Sequence, residues 1–422
     1  MTIPGPRSAA ATARLKAREQ RNVTFVSDDL PIVWESASGA TVRDVDGNEY
    51  IDCTAAFGVA NTGHCNAYVA DAVAAQAHRL MHGMGDVHPN ATKIELLERL
   101  AEILPPSLER TFLATTGSEA VEAALKTAVL ATGKSRFAAF RGGYHGLSIG
   151  TLGVGGIERF RTPFAALLAR EPLLLEFPRA APGVDARSAA GEADDLLARD
   201  DVAALIVEPI QGRAGAVVPP AGYLAELRRV CDRRGIVMIV DEIYTGFGRT
   251  GDWFAIDADA IVPDILCIGK AFGSGVPISA AVGTASVMDA WPHSTGEALH
   301  TSTYLGNPLG CAAALATIEE LRRHALPERA ERLGRDLGDR LASLLRIEHV
   351  VDVRGRGLLW GVQLVDAPRA AATVGRALRA GVILLQSGVD GDVVTIAPPL
   401  IIEEAALHRA VETLSAAIEE QR

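Results

Sequence analysis

The sequence predicts an α/β protein: a large, mostly parallel sheet covered by helices, plus a smaller α+β domain assembled from the N- and C-terminal segments. Three observations carry this expectation. Between about residues 110 and 310, short apolar runs alternate with helical stretches: RFAAF (136–140), VAALIVE (202–208), IVMIVDE (236–242), ILCIG (265–269) and SAAVGT (279–284). Runs without polar alternation suit parallel strands buried on both faces and joined by crossover helices. Their shortness and β-branched content separate them from pieces of buried helix. Second, TVRDVDGNEYIDC (41–53) places Asp46-Gly47 between two short alternating runs, the signature of a hairpin. Third, beyond residue 310 come long amphipathic helices, a strand-like region around 351–364, and a final helix near 403–420.

Taken in order, residues 1–23 lack the apolar core of an export signal and read as a mobile or partner-draped arm ahead of the hairpin. A helix is expected near 67–80. Another is expected in TKIELLERLAEIL, with Ile94, Leu97, Leu100 and Leu104 on one face. The Pro/Ala/Gly-rich stretch near 178–192 reads as a surface loop. The resulting division is 1–60 (arm and hairpin, joining the small domain), 61–310 (large domain) and 311–422 (small domain).

Composition limits the function. The 422 residues are 48% hydrophobic and 22% charged, with 41 Lys+Arg against 52 Asp+Glu for a net charge of -11. That balance argues against a general affinity for nucleic acid or anionic membrane. No stretch approaches the roughly 20 apolar residues of a membrane span. Five scattered cysteines without C-x-x-C spacing suit reduced thiols in the cytoplasm. Only five of the basic residues are lysine (Lys16, Lys93, Lys126, Lys134, Lys270), so a retained lysine draws notice: Schiff-base chemistry is open to the amine alone.

Polar residues gather where the predicted strands end. Tyr144-His145 follow RFAAF, Glu208 opens EPIQG, Asp241-Glu242 open DEIYTGFGRTG, and Lys270 lies in IGKAFGSG. In open parallel sheets, ligands collect at such carboxyl ends. In TTGSEAVEAALK (115–126), Gly117 and Ser118 open a helix whose N–H groups suit an anion. Each signal has a plainer reading. Thr116-x-x-Glu119 is also a capping box, a lone lysine in a Gly-rich loop is usually solvated, and His145 between tyrosine and glycine reads as structural. The Asp-Glu pair has no His or Cys at metal-ligand spacing, GKAFGSG lacks the P-loop pattern, and GVGG (153–156) follows no convincing strand. Together, an anion-binding helix start, an aromatic ring, an acid and a strand-end lysine are the set that pyridoxal phosphate requires.

The order and wording of TTGSEAVEAALK, YHG, EPIQG, DEIYTGFGRTG, IGKAFGSG and TSTYLGNPLGCAAA resemble the class III aminotransferases of the fold-type-I pyridoxal-phosphate superfamily, from about Thr41 into the C-terminal domain. The resemblance implies a homodimer with active sites shared between subunits. It implies a Schiff base on Lys270, Asp241 on the pyridine nitrogen, Tyr144 and Ile243 on the ring faces, Gly117 and Ser118 at the phosphate, and Thr303 reaching in from the partner. Glu208 matches a glutamate on the substrate side, and Phe57 is a candidate for pocket lining. Two positions depart from the family. Tyr244 stands where a glutamine is common. Thr395, before IAPPL, stands where an arginine normally receives the α-carboxylate. The expected reaction is aminotransfer between an amine donor and a carbonyl acceptor, with terminal amines, amino sugars or aminocyclitols favoured by the missing arginine. Arg141, Arg213 or Arg249 are possible substitutes for it. A racemase, aminomutase or lyase of the same family shares every motif, and a non-catalytic binding protein on the same fold is the competing class.

Overall fold

The computed structural model describes residues 3–25 and 30–420. The first strands, β1 (Trp34–Ser38), β2 (Thr41–Asp44) and β3 (Glu49–Asp52), pair antiparallel around the expected Asp46-Gly47 turn. Seven more follow: β4 (Leu108–Ala114), β5 (Arg136–Phe140), β6 (Leu173–Leu175), β7 (Val202–Val207), β8 (Val237–Asp241), β9 (Ile265–Ile268) and β10 (Ser279–Thr284). They form one sheet in the order β4-β10-β9-β8-β7-β5-β6. The absence of polar alternation has a direct cause. In β7, Ala204 and Ile206 join one buried cluster while Leu205 and Val207 join another, and in β8 Val237 and Ile239 lie opposite Met238 and Val240. Alternate side chains enter opposite faces, and both faces are covered. The helix Gly117–Thr132 lies on one face, contributing Val121, Ala124, Leu125 and Ala128.

One strand corrects the expectation. β10 (SAAVGT) is antiparallel to both β9 and β4, not a further parallel strand. Burial on both faces produces the same apolar run in either direction, so the pattern could not reveal it. Residues 269–278 link β9 directly to β10, which only antiparallel neighbours allow without a crossover helix. β4 and β6 were not expected at all.

The remaining strands are β11 (Val350–Arg356), β12 (Leu359–Leu364), β13 (Val382–Ile383), β14 (Leu385–Ser387) and β15 (Val393–Ile396). Four form an antiparallel sheet in the order β11-β12-β15-β14, while β13 joins the first sheet, parallel to β3 through Val382↔Ile51. Three further local readings change. The presumed arm contains a helix, Pro6–Lys16, whose first N–H groups (Arg7, Ser8) donate to the Asp46 carboxylate at 2.8 Å. The expected loop near 178–192 runs into a helix, Ala186–Leu196, with Asp185 accepting from the Ser188 N–H. In the helix Ala91–Ile103 the buried stripe runs through Leu96 and Leu100, and Ile94 is 48% exposed. Among the described residues, no helix is long and apolar enough to cross a membrane.

Arg249 ties the large sheet region to the C-terminal one. It is fully buried and donates to the carbonyls of Leu358 (2.8 Å) and Pro398 (2.6 Å) and to Asn61 Oδ1 (2.5 Å). Burial lowers its pKa to about 10, still well above neutrality. Replacing it leaves three buried acceptors without a donor. Arg249→Met is therefore expected to cost about 3 kcal/mol of stability in equilibrium denaturant unfolding; a loss below about 1 kcal/mol would show that this network is dispensable.

Candidate active site

Five chain segments reach one end of the large sheet, and each does so because a strand ends there. Asp241 is the last residue of β8, Glu208 follows β7, Lys270 comes just after β9, Tyr144-His145 follow β5, and Gly117-Ser118 open the helix after β4. A cavity of about 640 Å³ lies between them. Its lining includes Phe57, Gly117, Ser118, Tyr144, Glu208, Asp241, Ile243, Tyr244, Lys270 and Thr395. Thr303 does not line it and is exposed.

Asp241 is 4% exposed, and both of its oxygens are occupied. Oδ2 meets His145 Nδ1 at 2.8 Å, and Oδ1 accepts the Ile243 N–H at 3.0 Å. His145, read from sequence as structural, thus belongs to the cavity wall. Burial opposes its charge, but the Asp241 carboxylate outweighs this and moves its pKa upward. Their separation in sequence hid the pairing, and the only available signal was a second ring beside Tyr144 at a strand end.

Lys270 has a left-handed backbone (φ 47°) at the start of a short 3₁₀ turn. Such a conformation is costly outside glycine and occurs where surrounding structure enforces it. Its Nζ lies 4.4 Å from the centroid of the Tyr244 ring. Among the described residues it makes no ion pair. Burial lowers its pKa, against the opposing pull of Asp241 and Glu208.

At the helix start, the capping box is real. Thr116 Oγ1 accepts the Glu119 N–H, and the Glu119 carboxylate accepts the N–H groups of Thr115 and Thr116. The N–H groups of Gly117 and Ser118 make no hydrogen bond among the described residues, so they remain available to an anion. A Cβ on Gly117 would fall 2.7 Å from Ile243 Cδ1, which accounts for glycine there.

Glu208, Thr395 and Tyr244 complete the cavity wall. Glu208 accepts the N–H groups of Tyr144 (2.9 Å) and Gly212 (3.1 Å), and no arginine pairs with it among the described residues. Burial pushes its pKa up to about 7. Thr395 is buried and bonded to Ser387 Oγ at 2.5 Å. Tyr244 turns its ring toward Lys270, while its hydroxyl is buried without a hydrogen-bond partner among the described residues. Glycines on both sides make room for that ring: a Cβ on Gly58 or Gly212 would come within 2.4 or 2.2 Å of it. Phe57 stands at the rim, 62% exposed, in a left-handed run with Ala55 and Ala56. The Asp52 carboxylate fixes this run, accepting the Thr54 N–H and hydroxyl and the Ala56 N–H while meeting His64 Nε2 at 2.8 Å. Of the three arginines considered as substitutes, Arg141 pairs with Glu176 outside the cavity, Arg249 is sealed in the interior, and Arg213 lines the cavity.

Two outcomes follow. The folded-state pKa of Glu208 lies above its ordinary 4.5, so its contribution to stability is fully present below about pH 4.5 and is lost as pH rises through about 7. Glu208→Gln removes that dependence. In thermal unfolding of the cofactor-free protein, wild type should gain on the variant as pH falls from 8 to 5; a constant gap would refute the assignment. Tyr244→Phe removes only an unpartnered hydroxyl and should change stability by less than about 1 kcal/mol with turnover retained. A tenfold loss of turnover would mean that the hydroxyl contacts a bound group.

Comparison with known proteins accords with this geometry. Residues 24–418 match the family model Aminotransferase class-III. The chain is 40% identical over 390 residues to the acetylornithine aminotransferase of Methanopyrus kandleri, covering 92% of this chain and 95% of that one. It is 37% identical to the enzyme of the same name from Methanosarcina acetivorans, with 92% of each chain covered. Among solved structures, an amine transaminase from an uncultivated Pseudomonas species in its PLP-bound form superposes with a TM-score of 0.88 at 31% identity, covering 96% and 98% of the two chains. The ornithine aminotransferase of Toxoplasma gondii gives a TM-score of 0.86, also at 31% identity, with 97% and 94% covered. The chain belongs to the class III aminotransferases and is a pyridoxal-phosphate-dependent aminotransferase.

Proposed function

We propose that this aminotransferase takes its amino group from a terminal amine, one whose reacting carbon bears no carboxylate. The observation that carries this reading is the pairing state of Glu208: a buried carboxyl on the substrate side with no arginine paired to it among the described residues, and Thr395 where a carboxylate-binding arginine would stand. A carboxylate next to the reacting amine would meet an acid there in place of a guanidinium fork. Amino sugars and aminocyclitols satisfy the same condition.

The cavity residues fit the cofactor. The free N–H groups of Gly117 and Ser118 would receive its phosphate, Asp241 its ring nitrogen, and Tyr144 and Ile243 its two faces, with Lys270 Nζ holding it covalently. Pyridoxal phosphate, when bound, supplies a carbonyl carbon that condenses with amines and a ring that withdraws electrons from the carbon being deprotonated. The chain does the rest. His145 and the Ile243 N–H hold the Asp241 carboxyl in one orientation. Lys270 Nζ takes the proton from the amine-bearing carbon of the donor and returns it on the way to product. Its lowered pKa favours the neutral amine that this step needs.

The reading includes a homodimer in a reducing, cytoplasmic setting. Exposed apolar side chains at Met81, Met84, Val87, Leu299 and Tyr304 support an interface, with Thr303 of a second copy entering the site. The described cysteines are all free thiols, which suits that compartment.

The test is the visible spectrum of the purified holoenzyme titrated with amine donors in the absence of acceptor. Terminal amines are expected to bleach the cofactor band, and L-glutamate to leave it largely intact. Strong bleaching by glutamate would defeat the terminal-amine reading. A band that returns without any acceptor would instead indicate racemase or lyase chemistry. Lys270→Ala should reduce turnover by at least about 1000-fold, the order of loss expected when a proton-transfer group and covalent anchor are removed together.

A further inference from the structure

The strand β15 reads VVTI, apolar residues interrupted by a single hydroxyl, that of Thr395. β15 pairs with β14 in the register Leu385↔Thr395 and Ser387↔Val393, which sets those four side chains on one face of the pair. Leu385, Ser387 and Thr395 line the cavity. Both hydroxyl residues are buried, and Ser387 Oγ meets Thr395 Oγ1 at 2.5 Å. A hydroxyl offers one O–H and two lone pairs. The bond within the pair uses a single O–H, so the other has no acceptor among the described residues. Burying an O–H that bonds to nothing costs free energy, and the cost is lifted when a ligand accepts from it.

The pair shares its stretch of wall with Glu208. Gly388, next to Ser387, donates its N–H to the Arg213 carbonyl at 3.1 Å, and the adjoining Gly212 N–H donates to Glu208 at 3.1 Å. Burial pushes Glu208 toward its neutral form. The hydroxyl pair and the neutral carboxyl thus offer hydrogen-bonding groups that carry no charge, which suit an alcohol better than an ion. Arg213 lines the same cavity, and its N–H groups suit an alcohol oxygen as further donors.

We infer that Ser387 and Thr395 receive a hydroxyl group carried on the carbon next to the amine-bearing one, so that the preferred substrates are vicinal amino alcohols. Aminocyclitols and many amino sugars have this pattern. The inference rests on the terminal-amine reading, which sets Thr395 beside the reacting carbon, and it narrows that reading: a plain alkyl amine also lacks a carboxylate but leaves the hydroxyl pair unused. A substrate hydroxyl accepts the free O–H and donates in turn to a lone pair of the same pair. An amine without it displaces water from the pair and replaces none of the bonds. A pocket built around a hydrogen bond rejects such an analogue more sharply than an apolar pocket separates two hydrocarbons. The hydroxyl does not react, so the contact acts on binding more than on the chemical step.

The experiment measures kcat and KM of the holoenzyme for two matched pairs, trans-2-aminocyclohexanol with cyclohexylamine and 1-amino-2-propanol with propylamine, and for L-glutamate. Wild type, Thr395→Val, Ser387→Ala and Thr395→Ser are compared, together with the affinity of each protein for pyridoxal phosphate. On wild type the amino alcohol of each pair should have the lower KM, by roughly tenfold, the ratio that one hydrogen bond supplies. Thr395→Val and Ser387→Ala should each bring that ratio close to unity by raising the KM of the amino alcohols with kcat little changed, and Thr395→Ser should keep it. Either of the first two variants decides the matter if the other does not fold. A wild-type ratio near unity overturns the inference while leaving the terminal-amine reading intact. A ratio that survives both substitutions, or equal losses on both members of each pair with weakened cofactor affinity, makes the hydroxyls structural and overturns it as well. L-glutamate used in place of all four amines removes the terminal-amine reading and the inference with it.

Discussion

The need to satisfy one buried carboxyl at a strand end governs this structure. Asp241 ends a strand whose side chains are all buried, where a carboxyl left without hydrogen-bond partners is costly. Two donors prevent this, an imidazole from the loop after β5 and a main-chain N–H two residues on. Supplying the imidazole requires β5 and β8 to end at the same edge, which the parallel order β5-β7-β8 ensures. The neighbouring acid is held differently. Glu208 has two main-chain donors and no imidazole, and burial, with the proximity of Asp241, pushes it toward its neutral form.

Much of this was legible in the sequence because the relevant physics is local. Strands buried on both faces read as unbroken apolar runs, the Asp46-Gly47 turn declared its hairpin, and the helix start at Gly117 carried its own cap. What could not be read depends on contacts distant in sequence. The direction of β10 leaves no mark on its composition. β4, LERTFLA, mixes exposed and buried positions because it lies at the sheet edge, and so lacks the uniform run of its neighbours. His145 looked idle because its acid lies 96 residues away. Arg141, Arg213 and Arg249 were equivalent as letters. Only burial and pairing separate a surface ion pair, a cavity-lining guanidinium and an interior clamp.

The same distinction bears on how charge is used across the molecule. Arg249 gives its donors to main-chain carbonyls and an amide, joining segments far apart in the chain, and forms no ion pair among the described residues. Tyr244 is accommodated rather than bonded, in a slot made by two glycines. Its ring gives Lys270 an aromatic face where a glutamine would give a dipole. That face favours a cation only weakly compared with a carboxylate, so it anchors the lysine without fixing it in the charged state.

The direct link between β9 and β10 has a consequence for how the site assembles. Most neighbours in the sheet must wait for a crossover to be laid down, whereas residues 269–278 bring their flanking strands together over a short chain separation. Closing so short a segment costs little entropy, and its contacts lower the contact order of that edge of the sheet. The lysine-bearing loop is thus held by contacts local in the chain, and the Asp241↔Cys267 register on β8 sets that loop and the acid at one end of the sheet in a single alignment.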